Sequence, residues 1–362
     1  MDPVVPSNWS AAAASIAANL GAAPGETVLV RDHAGREGIL QEVLLALECA
    51  GATPLLQIDP PEYLERLLAA ASLDYLNAWD RRRRAWLEQA DRVLVLTGGA
   101  PPAFADLPQE AAAAWQAATG RLTELEEERR LPFLLAAVPT SRQAARLGMD
   151  LADLEAALAA ALAVTRAELH SQLAPLKPLL QATRQMTIQT GPGCRLDLAH
   201  GDRRWLFDDG AIEAADQQDG AIVSNLPAGS IYTTVLEAET HGQLWLASAG
   251  PAKNVCLTFE GGRITRVDAE SGAGAFEAWL DSHSGESRRV SHVGLGLNPA
   301  LRHPTGWILV DEHIRGALFI CLGENRYMGG QNSSSLNVDY DLQGASLWVD
   351  GQIVVSAGQM VV

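Results

Sequence analysis

The chain has 362 residues, a length that favours two domains, or one core with a large added lobe. Hydrophobic residues make up 48% and charged residues 20%, the profile of a folded protein with a substantial core and no disordered tract. A formal net charge of -17 and a pI near 4.8 oppose contact with a phosphate backbone, which needs clustered Lys and Arg, so no nucleic-acid partner is expected.

The start, Met1-Asp2-Pro3-Val4, has no basic segment followed by an apolar one, and no apolar run reaches bilayer length. A cytoplasmic protein with no membrane partner is expected. Between Glu26 and Asp59 an apolar run (Thr27 to Val30), a polar turn, a helical stretch ending at Ala50-Gly51 and a second run (Pro54 to Ile58) predict strand, helix, strand. Arg81 to Arg84, flanked by Trp79 and Trp86, reads as a solvated helix face. Val93 to Leu96 and Phe133 to Val138 predict two more strands separated by helical patterns. Such alternation predicts a doubly wound α/β lobe, with a parallel sheet covered on both faces, over residues 1–180. The polar loops Arg31-Asp32-His33 and Thr97-Gly98-Gly99 follow strands, where an open α/β sheet places a ligand crevice. Neither contains a nucleotide fingerprint, and turn formation explains their glycines.

From Asp150 to Leu180 the pattern is helical throughout, with Leu151, Leu154, Leu158 and Leu162 at packing spacing, and predicts a helix joining the lobes. Residues 181–362 then alternate Gly-rich turns with short Ile, Val, Leu, Thr and Trp runs, which predicts a β-rich C-terminal domain ending in a hairpin at Asp350-Gly351. Cys49, Cys194, Cys256 and Cys321 lack CxxC spacing and read as buried thiols.

Three stretches of this domain carry chemistry-bearing residues: Asn225 to Thr234, Ser291 to Pro299, and Gly316 to Asp341. If Leu336 to Tyr340 is a strand, Asn337 and Asp339 project from one face and could converge on His292. An imidazole, a carboxylate and a carboxamide could hold one hard or borderline divalent ion, leaving positions for water or substrate. Equally, His292 could be a structural hydrogen-bonder, and Asn337 and Asp339 turn or edge groups that bond nearby backbone. Ser230 and Tyr232, on the Pro-Ala-Gly segment, are candidate substrate-binding or catalytic groups beside His292. Glu237, Glu239 and His241 have a spacing that suits one strand face, and read as a polar sheet face more readily than as a second metal cluster. His283, His303 and His313 are candidates for a further ligand that spacing does not rank.

These stretches resemble, in order, motifs of the superfamily of thermophilic aminopeptidases (aminopeptidase T/S) and 2,5-dihydroxypyridine 5,6-dioxygenase. Asn225-Leu226-Pro227-Ala228-Gly229-Ser230-Ile231-Tyr232-Thr233 is similar to the aminopeptidase pattern Asn-Ile-Pro-x-x-Glu-Val-Phe-Thr. The resemblance implies a dinuclear site in the aminopeptidases at positions that here read Ser230, His292, Phe319, Asn337 and Asp339. A Phe cannot ligate and a Ser hydroxyl ligates poorly, so two metals and aminopeptidase activity are not expected. The dioxygenase pattern, Ser-His-x-Gly-x-Gly-Leu followed by His-x-Asp, implies a mononuclear Fe(II) site, and here Asn337 replaces its second His. The resemblance further implies a homodimer with its active site in the second domain and a small-molecule substrate. The reading that follows is a mononuclear enzyme acting on a small polar or aromatic metabolite, with one Fe(II) or Mn(II) at His292, Asn337 and Asp339. A metal-free descendant using His292 and Asp339 for ligand binding or acid-base chemistry, and an aminopeptidase-like hydrolase with a rebuilt site, are the alternatives.

Overall fold

The structure is a computed structural model that describes residues 9–100, 102–104, 107–191, 193–213, 217 and 222–362. The chain divides into two compact units, the first running to Ala163 and taking back Gly210–Pro227, the second formed by Val164–Asp209 and Ala228–Val362. The division therefore falls before the expected boundary at 180. The stretch read as one helix from Asp150 to Leu180 is three: Leu151–Leu162, Arg166–Leu173 and Lys177–Ala182. Its breaks have local causes. Thr165 caps the second helix in a reciprocal box with Glu168, and Pro178 stands in the first turn of the third, where a missing N–H costs nothing.

In the first unit the strands β1 (Thr27–Asp32), β2 (Thr53–Ile58), β3 (Arg92–Thr97) and β4 (Phe133–Ala137) are all parallel. The chain then enters the second unit with β5 (Gln185–Thr190), β6 (Cys194–Ala199) and β7 (Trp205–Asp208), and returns with β8 (Val223–Leu226) to complete the order β2-β1-β3-β4-β8. Leu29, Val93 and Val95 pack under Trp79, Leu87 and Leu122 of the Trp79–Gln89 and Gln109–Arg129 helices. The alternate residues Val28, Val30, Leu94 and Leu96 are equally buried. Burial on both faces is why these strands read as unbroken apolar runs. The Arg81–Arg84 block is a largely solvated helix face, with Arg83 stacked over the Trp79 ring at 3.6 Å.

The second unit is a sandwich of antiparallel sheets. After β9 (Ser230–Thr234) come β10 (His241–Ala249), β11 (Ala252–Glu260), β12 (Arg263–Ser271), β13 (Val290–Gly296), β14 (Leu318–Gly323) and β15 (Asn337–Leu342). The last strands are β16 (Ser346–Val349), β17 (Gln352–Ser356) and β18 (Gln359–Met360). One sheet has the order β12-β11-β10-β6-β5-β16-β17-β18 and the other β15-β14-β13-β9-β7. Leu196, Leu244 and Leu257 from the larger sheet join Ile231, Leu295 and Ile320 from the smaller in one core. The β16–β17 turn has Asp350 at φ 48° and Gly351 at φ 81°, the left-handed pair that the Asp-Gly sequence predicts for a tight hairpin.

Candidate metal centre

Strand periodicity sorts the smaller sheet into two faces. Leu318, Ile320 and Leu322 of β14, with Tyr340 and Leu342 of β15, enter the core. Phe319 and Cys321, with Asn337, Asp339 and Asp341, therefore point to the opposite face. Register then decides who meets whom. Cys321 stands opposite Asp339, Gly323 opposite Asn337, and Phe319 opposite Asp341. On the other side of β14, Gly294 of β13 pairs with Phe319 and with Tyr232 of β9, while His292 pairs with Thr234.

Three donors converge on this face: one ligand atom each of His292, Cys321 and Asp339 lies within 4.8 Å of the other two. His292 and Cys321 are buried and Asp339 is half-buried. His292 Nε2 is 3.0 Å from Asp339 Oδ1, yet that oxygen is buried and accepts no hydrogen bond. The imidazole is held from behind. Ser291 Oγ donates to the Glu324 carbonyl oxygen at 2.6 Å, which uses its single proton, and its oxygen lies 3.0 Å from His292 Nδ1. This pattern assigns the ring proton to Nδ1, so in the neutral ring the Nε2 lone pair faces the Asp339 oxygen. A lone pair and an orphaned carboxylate oxygen, with a thiol beside them, are the donor set that a divalent cation satisfies.

The Cys321 thiol donates to Asn337 Oδ1 at 2.8 Å, and Asn337 Nδ2 donates to the Tyr327 hydroxyl at 3.3 Å. Burial, and then the neighbouring Asp339 carboxylate, pushes the thiol well above its ordinary pKa, so without a cation it stays protonated. The Phe319 ring, 6.0 Å from the His292 ring, lies over Gly294, where a Cβ would collide with it. Only glycine fits beneath this aromatic side chain.

The expected residues take different places. Asn337 shares the face with Asp339, but its carbonyl oxygen holds the Cys321 thiol. Tyr232 lies beside His292, with ring centroids 5.6 Å apart. Ser230 is four residues along β9 from Thr234, the partner of His292, or roughly 13 Å along the strand. Glu237 and Glu239 do not share a strand face with His241, because they form a short 3-10 turn before β10. Glu237 is buried there and accepts from Arg203, Asn325 and the Gln331 amide. His283 bonds the Trp279 carbonyl at 2.8 Å, His303 is exposed, and buried His313 lies 3.3 Å from Glu312. Beside His292 and Asp339 stands Cys321, which the sequence pattern marked only as a buried thiol. Its position two residues after Phe319, on the face of an otherwise apolar strand, was the available signal.

A parallel-sheet unit is thus followed by a sandwich that carries a His, carboxylate and thiol cluster able to hold a metal ion. The sequence profile of the thermophilic metalloprotease (M29) family matches residues 10–352, and the chain belongs to this family. Among solved structures, wild-type AmpT from Thermus thermophilus is similar at 19% identity and a TM-score of 0.74, over 98% of this chain and 99% of that one. 2,5-Dihydroxypyridine dioxygenase from Pseudomonas putida KT2440 is similar at 17% identity and a TM-score of 0.62, over 98% of each chain. No curated protein gives a significant match. Both structural likenesses carry the fold, and the family implies a divalent metal.

Proposed function

We propose that this chain holds one divalent ion through His292, Asp339 and Cys321, and acts with it on a small polar or aromatic metabolite. The observation that carries the reading is the convergence of these three donors around an Asp339 oxygen that accepts no hydrogen bond. A divalent ion there would supply Lewis acidity toward a substrate oxygen. The chain's own groups do the rest: Ser291 orients the imidazole, Asn337 positions the thiol, and Tyr232 forms a wall beside His292. A thiol donor also moves the favoured ion from Mn(II) toward Zn(II) or Fe(II). Phe319, seated over Gly294 at a position that ligates in the aminopeptidases, supports one ion rather than two. An aminopeptidase-like hydrolase is the second reading, favoured by the higher TM-score to AmpT. A cytoplasmic homodimer belongs to the same proposal, and sedimentation tests the dimer; among the described residues no helix is long and apolar enough to cross a membrane.

Metal analysis of protein purified without chelator, paired with zinc titration of chelator-treated protein, tests the proposal. One ion per chain is expected. Two ions, with chelator-sensitive cleavage of aminoacyl chromogenic substrates, would establish the hydrolase reading. No binding would leave His292 and Asp339 as a metal-free pair. Asn337→His adds an imidazole on the Asp339 side of β15 and should tighten Fe(II) binding by about tenfold, measured anaerobically.

A further inference from the structure

The second unit contains a cavity of about 550 Å³ that the proposed metal chemistry does not use. It is bounded by the Lys177–Ala182 helix, the segment from His200 to Arg204, and β7. Ile231 of β9 forms part of its wall. Because Ile231 alternates with Ser230 and Tyr232 along β9, the cavity lies behind the face that carries His292 and Asp339. Its size is within the range of small-molecule sites.

The lining has two chemical halves. Leu180, Phe207, Ile231 and Trp205 make an apolar wall, in which the Trp205 ring stacks on His200 at 5.4 Å. His200 is fully engaged, through Nδ1 with the Thr183 carbonyl and through Nε2 with the Thr233 hydroxyl, so it is a fixed wall and not a free base. The other half is cationic: Lys177, Arg184, Arg203 and Arg204 line the cavity against a single carboxylate, Asp202. Arg184 is bound to Asp202 at 2.8 Å, and Arg203 to Glu237 at 2.9 Å. Lys177 and Arg204 are exposed and have no carboxylate partner among the described residues. In a chain with net charge -17, two unpaired cations at the rim of an apolar recess form a local reversal of potential.

We propose that this cleft binds a small amphipathic acid, an aromatic or aliphatic carboxylate whose apolar body lies on Leu180, Phe207 and Ile231 and whose charged end meets Lys177 and Arg204. The apolar wall excludes a fully hydrated inorganic anion as the best-fitting ligand, and the two cations exclude a neutral or cationic one. Guanidinium and carboxylate pair in a planar, bidentate way, which gives Arg204 the directional share of recognition.

The full-length protein can be titrated with the fluorescent sulfonate 8-anilinonaphthalene-1-sulfonate, followed by displacement with 2-naphthoate. One saturable site per chain is expected, displaced by 2-naphthoate but not by the cation 2-naphthylmethylamine. The double variant Lys177→Glu with Arg204→Glu, which alters only exposed side chains, should weaken binding by at least about tenfold while leaving zinc affinity and melting temperature unchanged. Equal affinity in the double variant, equal displacement by the cation, or absence of a saturable site would each overturn the proposal. So would a wild-type dimer that the double variant splits, because the cleft would then be a subunit contact.

Discussion

The two units place their polar groups under opposite constraints. In the first, the inner strands β1 and β3 are buried on both faces, and polar side chains at the strand ends are claimed by structural duties. Asp32, at the end of β1, accepts from the Ala34 and Gly35 amides, both at 3.0 Å, and shapes the turn that the sequence marked as a possible crevice. Arg36 and Glu155 form an ion pair at 2.5 Å in which both side chains are nearly buried. In the second unit the smaller sheet commits one face to the core and leaves the other to carry one donor on each of three neighbouring strands, His292 on β13, Cys321 on β14 and Asp339 on β15. Polar residues at strand ends become turn formers, whereas polar residues on an uncommitted sheet face can assemble a site.

The largest expected effect removes the site and leaves the first unit alone. Asp339→Ala should cost zinc affinity at least about a hundredfold, since partners that merely orient a ligand already cost about 10–100-fold. Calorimetric titration reads this, and wild-type affinity in the variant would remove the carboxylate from the centre. The converse variant belongs to the first unit. Glu155→Ala strands the Arg36 guanidinium at 12% side-chain exposure and should cost about 3 kcal/mol of stability, with zinc affinity unchanged. Denaturant unfolding measures the loss, and a cost near zero would mean that solvent already screens the pair.

Gly294→Ala forces the Phe319 ring off its seat and should destabilise the second unit by about 2 kcal/mol. Repeating the substitution in a Phe319→Leu background should recover much of the loss. An undiminished cost would place the clash elsewhere. The smallest effect is a pH slope. His200 is 3% exposed, and burial, only partly offset by its backbone hydrogen bonds, holds its pKa below the ordinary 6.5. The unfolded chain therefore takes up this proton first as pH falls. Stability from the neutral ring is complete above the unfolded value and is lost as pH drops through the lower folded one. His200→Gln should flatten the decline in stability as pH falls below the ordinary histidine value of about 6.5. An unchanged slope would assign the decline to other groups.

Much of this was open to reading in the sequence, for reasons that are local. Unbroken runs such as Val93 to Leu96 mark strands buried on both sides, and Asp350-Gly351 marks a tight hairpin through left-handed backbone that few other pairs adopt. The two-residue strand period placed Asn337 and Asp339 on one face, and the ordered motifs identified the family that the profile match establishes. The broken helix between Asp150 and Leu180 was misread because leucine spacing persists across capping signals at Thr165 and Pro178.

What tertiary structure alone decided is the composition of the centre. Cys321 reaches Asp339 because β14 and β15 align in one register, and a slip of one residue would send the thiol into the core. Nothing within either strand encodes that alignment, since it comes from the fit of Leu318, Ile320, Tyr340 and Leu342 against the opposite sheet. In the same way, the ring of Phe319 lies over Gly294 only because β13 and β14 pair there. The sequence by itself therefore determined most of the strands, the shared face of Asn337 and Asp339, and the family, through interactions a few residues long. Packing between strands distant in the chain determined which side chains meet on that face.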